Sequence, residues 1–256
     1  MIPAGERAKA YIEKGKHKTT NKRSKMLVLA ILGGIFSAFG CIGYAFGSHY
    51  GNGHLTGTLI FPIGIIFTVM AGGELFMGNC LLSMPLLSGD VKLWQVVRNL
   101  FVVYIGNFVG AVLIAFLTAG SGAMATISSA MVNTAVVKSS LHPLEAFLRG
   151  LLCNMLITLG VWAAEASRNA TGKILSVYFP VVVFVLAGFE NANTNMYFLS
   201  AGAFASVLHQ GSEGLSVILR GFVNNLVPVS LGNLVGGMAI GALYKHAHVE
   251  KEKSQE

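Results

Sequence analysis

Six apolar stretches set the limits on this chain: Met26–Phe46, Leu55–Leu87, Leu100–Ala119, Leu144–Ala164, Ile174–Leu208 and Phe222–Tyr244. A helix needs about 20 apolar residues to cross the hydrocarbon of a bilayer, and each stretch supplies them. With 54% hydrophobic and 11% charged residues in 256, the chain has too little charge for a soluble protein of its size. The sequence therefore predicts an all-α membrane protein with six transmembrane helices. They form a single transmembrane domain over residues 1–256: a basic segment (1–25), a first repeat (26–119), an external loop (120–143), a second repeat (144–244) and a tail (245–256).

Orientation follows from lysine and arginine, which concentrate on the cytoplasmic side of membrane proteins. The N-terminal segment carries Arg7, Lys9, Lys14, Lys16, Lys18, Lys22, Arg23 and Lys25, and Lys245, Lys251 and Lys253 follow the last stretch. Both termini are expected in the cytoplasm, with the protein multi-pass in the inner (plasma) membrane. Lys92, Arg98, Arg168 and Lys173 then also fall inside, and only Lys138, Arg149 and Arg220 outside. The basic N-terminus lacks the apolar core and cleavage site of a signal peptide, so its retention is expected. The net charge of +7 is mostly a topology signal rather than a nucleic-acid footprint. Cys41, Cys80 and Cys153 lie within the apolar stretches without a C-x-x-C spacing, so they suggest neither a disulfide framework nor a metal site. No cofactor is indicated.

Two stretches, the second and the fifth, are too long for one straight crossing. Each contains an acid beside glycine: Gly72-Gly73-Glu74-Leu75-Phe76 and Gly188-Phe189-Glu190. These predict broken helices. The second break continues as Asn191-Ala-Asn193-Thr-Asn195, an unusual density of amides for an apolar run. Non-helical backbone at membrane depth survives only where it is buried in protein or lines a wet cavity, and asparagines can satisfy it. An intramembrane carboxyl costs at least about 2.5 kcal/mol and is a functional-site hypothesis by default. Glu74 and Glu190 can alternatively serve only the broken backbone. Asn191 is expected beside the break rather than closing a helix end.

The chain also repeats itself. Asn99-Leu-Phe-Val-Val-Tyr-Ile-Gly-Asn-Phe-Val-Gly110 and Asn225-Leu-Val-Pro-Val-Ser-Leu-Gly-Asn-Leu-Val-Gly236 match in register at both asparagines, at leucine and at the shared valines and glycines. The third and sixth stretches thus correspond, and the breaks fall in matching places. Each half has three crossings, and an odd number inverts the second half, as in transporters whose discontinuous helices meet near the midplane. Asn107 and Asn233, inside the repeats, suit interhelical bonding beside close-packed glycine.

These residues together resemble the formate/nitrite transporter family. The resemblance spans all six stretches and rests on Gly73-Glu74-Leu75-Phe76, Tyr104-Ile-Gly-Asn-Phe-Val-Gly110, Leu144-Glu-Ala-Phe-Leu-Arg-Gly150 leading to Asn154, Gly188-Phe-Glu190 with Asn195-Met196, and the repeat from Asn225 to Gly237. It implies an aquaporin-like protomer with its own pore, assembled as a homopentamer in the lipid bilayer, for small monovalent anions such as formate, nitrite, lactate or hydrosulfide. Carried across by position, it implies apolar constrictions at Phe61, Ile65, Leu75, Phe76 and Phe184, and a central region at Asn191, Glu190, Met77 and Asn154. Lys138, in the outer loop, becomes the lysine that attracts anions to the vestibule. Glu74, Asn107, Asn195 and Asn233 become supports of the breaks. Two positions depart from the family pattern: Asn191 stands where a central histidine is usual, and Met77 where a threonine often faces it.

That departure restricts the mechanism. An amide cannot give or take a proton near neutrality, so a histidine relay is excluded. Apolar constrictions still oppose a bare anion, whose desolvation is prohibitive unless it is paired or neutralised. The expectation is passage of small monocarboxylates as neutral acids, with net movement of anion plus proton. A nitrite or hydrosulfide channel of the same family is the alternative. A neutral-solute channel of the aquaporin type would need paired Asn-Pro-Ala motifs, which are absent. No H-E-x-x-H or comparable constellation supports an enzyme.

Overall fold

A computed structural model of the chain describes residues 1–249, and these are helical with short connections. The expected basic residues Lys251 and Lys253 and the end of the tail lie outside the described residues. Helices α1 (Ala4–Thr20) and α2 (Arg23–Tyr50) are followed by α3 (His54–Ile60), α4 (Ile63–Ala71), α5 (Phe76–Asn79) and α6 (Ser83–Leu87). Then come α7 (Leu93–Gly120), α8 (Ser128–Ser139), α9 (Pro143–Ala164), α10 (Ala170–Leu186), α11 (Ala192–His209), α12 (Leu215–Asn224) and α13 (Leu226–His248). Five helical segments are long and apolar enough to cross a membrane: Arg23–Tyr50, His54–Ala71, Leu93–Gly120, Pro143–Ala164 and Leu215–His248. Phe76–Leu87 and Ala170–Leu186 are shorter apolar helices.

One segment corrects the sequence reading. The external loop expected over 120–143 contains α8, whose inner face buries Met131, Val132, Ala135 and Ser139 at helical spacing. A polar composition with a weak apolar stripe disguised it as a loop. The last stretch lies within one long helical segment, Leu215–His248, with a local irregularity at Asn225. Pro228 has no N–H to offer the carbonyl of Asn224, so one rung of the ladder is missing there, while Asn225 N still bonds Gly221 O and Val229 N bonds Asn225 O. The N-terminal segment, in turn, is the amphipathic helix α1, with Ala8, Tyr11, Ile12, Gly15 and Thr19 buried.

The halves pack in the same way: α2 lies along α7, and α9 along α13. Glycine makes both approaches possible. A Cβ on Gly34 would run into the Asn107 carbonyl, and one on Gly232 into the Phe147 carbonyl. The repeated Gly-Asn pairs are therefore contact surfaces, each carrying an asparagine into the interior, where Asn107 and Asn233 are fully buried.

Candidate solute path

Residues 72–75 and 187–191 carry no helix. Gly72 ends α4 at φ +86° and Gly188 follows α10 at φ +68°, a left-handed backbone that side chains with a Cβ rarely adopt. The two segments then satisfy their backbone in parallel ways. Glu74 N donates to Leu29 O at 2.9 Å, and Glu190 N to Arg149 O at 3.3 Å. Asn107 Nδ2 donates to Glu74 O (2.8 Å) and Ala30 O (2.7 Å), while its Oδ1 accepts from Phe76 N (2.9 Å). Asn233 Nδ2 donates to Glu190 O (3.0 Å) and Gly150 O (2.7 Å), and its Oδ1 accepts from Ala192 N (2.9 Å). One buried amide thus serves both sides of each interruption, which is why an asparagine rather than an apolar residue stands beside the glycine.

The two glutamates lead to matching charged clusters. Lys138 Nζ donates to Glu190 Oε1 at 2.9 Å and Oε2 at 3.0 Å. Asn195 Nδ2 donates to Glu190 Oε2 (2.5 Å) and Asn225 Oδ1 (2.7 Å), and Asn225 Nδ2 closes the ring on Lys138 O (2.9 Å). In the first half, Lys18 Nζ donates to Glu74 Oε2 (2.8 Å) and Asn79 Oδ1 (2.7 Å). Asn79 Nδ2 donates to Asn99 Oδ1 (2.9 Å), and Asn99 Nδ2 closes on Lys18 O (3.2 Å). Both lysine side chains are 17% exposed. A lysine ammonium has three N–H donors. Two bonds are made by each ammonium in its cluster.

Lys138 therefore differs from its expected setting. It sits in the last turn of α8 rather than in a loop, and it is ion-paired rather than isolated. Sequence reasoning missed Lys18, Asn79, Asn99 and Asn225 as members of these clusters. The signal was present in the spacing Glu74-x4-Asn79, which Glu190-x4-Asn195 repeats, together with the paired first asparagines of the 99 and 225 repeats.

Leu75 and Asn191, which follow the two glutamates in sequence, both line a small, partly open cavity of about 20 Å³. Of the expected path residues, Phe61, Ile65, Leu75, Phe184, Met77 and Asn191 line it. Phe76 instead packs edge-on against Tyr104, with ring centroids 5.2 Å apart. Asn154 Nδ2 bonds Met77 O (3.3 Å) and Asn233 O (2.7 Å), behind the wall of the cavity. Glu190 belongs to the lysine cluster, and Glu74 lines a larger cavity of about 250 Å³ with Lys14, Lys18 and Tyr11. Ile65 and Leu75 line both cavities and so form the partition between them. On the far side, Phe61 and Phe184 meet edge-on at 5.7 Å. A single water needs about 10–15 Å³ of such space, so the chamber is a narrow one, with room for roughly one water.

Asn191 requires a correction. It closes a helix end: its Oδ1 accepts from Asn193 N (2.9 Å) and Thr194 N (3.4 Å) as the N-cap of α11. The Phe189-Glu190-Asn191 context conceals a capping position, because capping is read from the helix start that follows. Removing an Asn cap costs about 0.5–2 kcal/mol. Asn191→Ala and Asn191→His are thus both expected to lower the thermal stability of the purified protein, while Asn191→Ser keeps the cap and deletes only the amide N–H. A parent-like melting profile for Asn191→Ser beside a lowered one for Asn191→Ala is the expected result, and equal losses would deny the cap.

The long apolar helices are those of a membrane protein. The family model described as formate/nitrite transporter matches residues 5–247, and the chain belongs to that family. The formate channel BtFdhC of Bacillus thuringiensis is 31% identical over 96% of this chain and 95% of its own length. A solved structure described as a pentameric formate channel with formate bound superposes with a TM-score of 0.76 at 29% identity, covering 89% of this chain and 98% of that one. An ion channel of the same family superposes at 0.86 with 23% identity, covering 94% and 98%, and speaks for the fold.

Proposed function

We propose that the chain carries small monocarboxylates, formate or lactate, across the inner membrane as neutral acids, so that each anion moves with a proton. The observation that carries this reading is the pair of Lys–Glu clusters and, lined by the residues that follow their glutamates, an apolar chamber whose central side chains are amides. Each cluster offers a spare ammonium N–H to an anion at the chamber mouth. Beyond it, Ile65 and Leu75 on one side and Phe61 and Phe184 on the other present no compensating charge, and a bare carboxylate is excluded by its desolvation. Asn191, in the position where the family usually has histidine, cannot relay a proton. The proton is then taken from water in the vestibule by the substrate itself, whose affinity for it rises as its surroundings become less polar.

On this reading the described helices make six crossings in two inverted repeats. The second crossing is broken between α4 and α5 and the fifth between α10 and α11. Both termini face the cytoplasm, which puts Lys18 at the inner mouth and Lys138 at the outer one. Five protomers, each with its own path, form the assembly, as in the pentameric formate channel to which the chain is similar.

The test is uptake by the full-length protein in liposomes, with formate, lactate, acetate, nitrite and hydrosulfide supplied in turn. Monocarboxylates are expected to accumulate. Passage of water or glycerol without any acid would sink the reading in favour of a neutral-solute channel. Lys138→Gln and Lys18→Gln, which keep a hydrogen bond to their glutamates, are expected to raise the half-saturating concentration several-fold from the outer and inner face respectively. An unchanged concentration dependence in both variants would remove the lysines from the path.

A further inference from the structure

The small chamber is lined by a side chain whose buried acceptor no described residue uses. Asn193 is 1% exposed and lines the same cavity as Asn191. Its Nδ2 donates to Asn107 Oδ1 at 2.8 Å, and its Oδ1 has no hydrogen-bond partner among the described residues. An amide's oxygen and nitrogen are assigned from their partners, and here the partners permit one orientation. Asn107 Nδ2 faces the carbonyls of Ala30 and Glu74, and its Oδ1 receives Phe76 N–H, so that oxygen is an acceptor. Asn193 must therefore present its NH₂ to Asn107, which leaves its carbonyl as the unpaired end. Asn191 is fixed in the opposite sense. Its Oδ1 is occupied by two backbone N–H groups, so its NH₂ is the end left for the chamber.

We propose that Asn191 and Asn193 form a donor–acceptor pair that selects the protonated form of a small oxyacid, with the Asn191 amide donating to the solute's carbonyl-type oxygen and the Asn193 carbonyl accepting its O–H. The proposal rests on the neutral-acid reading above and names the recognising groups. A carboxylate has acceptors only, so it satisfies Asn191 but sets its charge against the Asn193 oxygen. A neutral acid, HO–C=O, satisfies both. Nitrous acid, HO–N=O, shares that pattern. Hydrogen sulfide, a weak donor without an oxygen acceptor, uses neither well, and the pair ranks it below the oxyacids. Burying a polar group is costly unless it is hydrogen-bonded, and the acceptor on Asn193 makes that cost conditional on the solute's proton.

The experiment is labelled formate uptake by the full-length protein and by Asn193→Leu in liposomes, with the assembled yield of each recorded. The loss of one hydrogen bond at the point of passage is expected to lower the maximal rate about tenfold. The half-saturating concentration, set at the lysine clusters, is expected to stay where it was. An assembled Asn193→Leu with a maximal rate within about twofold of the parent overturns the proposal. Should Asn193→Leu fail to assemble, infrared difference spectra of the unaltered protein with isotopically labelled formate decide instead. A bound protonated acid shows a single carbonyl stretch, and carboxylate bands alone overturn the proposal. The two failures are distinguishable. Uptake by the parent that ignores pH removes the neutral-acid reading and this inference with it, whereas a normal pH response with an indifferent Asn193→Leu removes the inference alone.

Discussion

Glu190→Leu is expected to collapse the yield of assembled protein, and a second substitution, Lys138→Met, to restore most of it. The Glu190 carboxylate is 6% exposed and takes two hydrogen bonds from Lys138 and one from Asn195. Deleting it leaves an ammonium stranded beside apolar Phe198, 5.6 Å from the ring centroid. Breaking a buried pair from one side costs about 3–5 kcal/mol, whereas replacing both partners by apolar residues of similar volume is often neutral. Domain stabilities are only about 5–15 kcal/mol, so the single variant forfeits a large share. Pentamer yield on a sizing column and thermal unfolding in detergent read the difference. Equal losses in the single and double variants would show that Glu190 matters for its backbone surroundings and not as the partner of Lys138. The double variant is also expected to fold but transport poorly at low substrate, which separates assembly from attraction.

Much of this arrangement could be read from the residues, for identifiable reasons. Apolar stretches long enough to cross a bilayer leave little choice of fold class, and the shared asparagines and glycines of the 99 and 225 repeats announced the two halves. Gly72 and Gly188 announced where the helices stop, since each holds a positive φ. The pairings were harder. Lys138 reaches Glu190 across 52 residues and Lys18 reaches Glu74 across 56, and nothing local distinguishes Lys18 from the other lysines of a basic segment. The N-terminal segment reads as a topology signal, yet α1 carries Lys18 into the larger cavity beside Glu74, because Lys18 lies two turns beyond Tyr11 on the face that α1 buries. Asn193 was legible only as one amide of a run, with no role of its own, for a different reason. Asparagines in such a cluster look interchangeable until their partners are known. Asn195 is tied to a carboxylate, Asn191 to helix N–H groups, and Asn193 to another amide that fixes its orientation.

Uptake of labelled formate is expected to rise steeply as external pH falls from about 7.5 to about 5.5 at fixed membrane potential, approaching a hundredfold if the protonated fraction limits the rate. The sign follows from the solute. A carboxylic acid with a pKa near 4 is roughly one part in a thousand protonated at pH 7, and each unit of acidification multiplies that fraction by about ten. Raising the acid's pKa by about three units as it leaves water would require roughly 4 kcal/mol. Burial supplies shifts of that size, up to about 3–5 units for fully enclosed carboxyls. A chamber of about 20 Å³ walled in part by Phe61, Leu75 and Phe184 moves the solute toward such surroundings. Because Asn191 and Asn193 hold no exchangeable charge near neutrality, no side chain of the chamber adds a titration of its own. The rise is therefore expected to follow the proton supply smoothly, without the plateau that a titrating histidine would impose near pH 6.5. A permanently ionised anion of similar size is expected to be excluded at both pH values. Flat formate uptake across that range would mean that the anion itself crosses, and the paired lysines rather than the apolar chamber would then have to carry the selectivity.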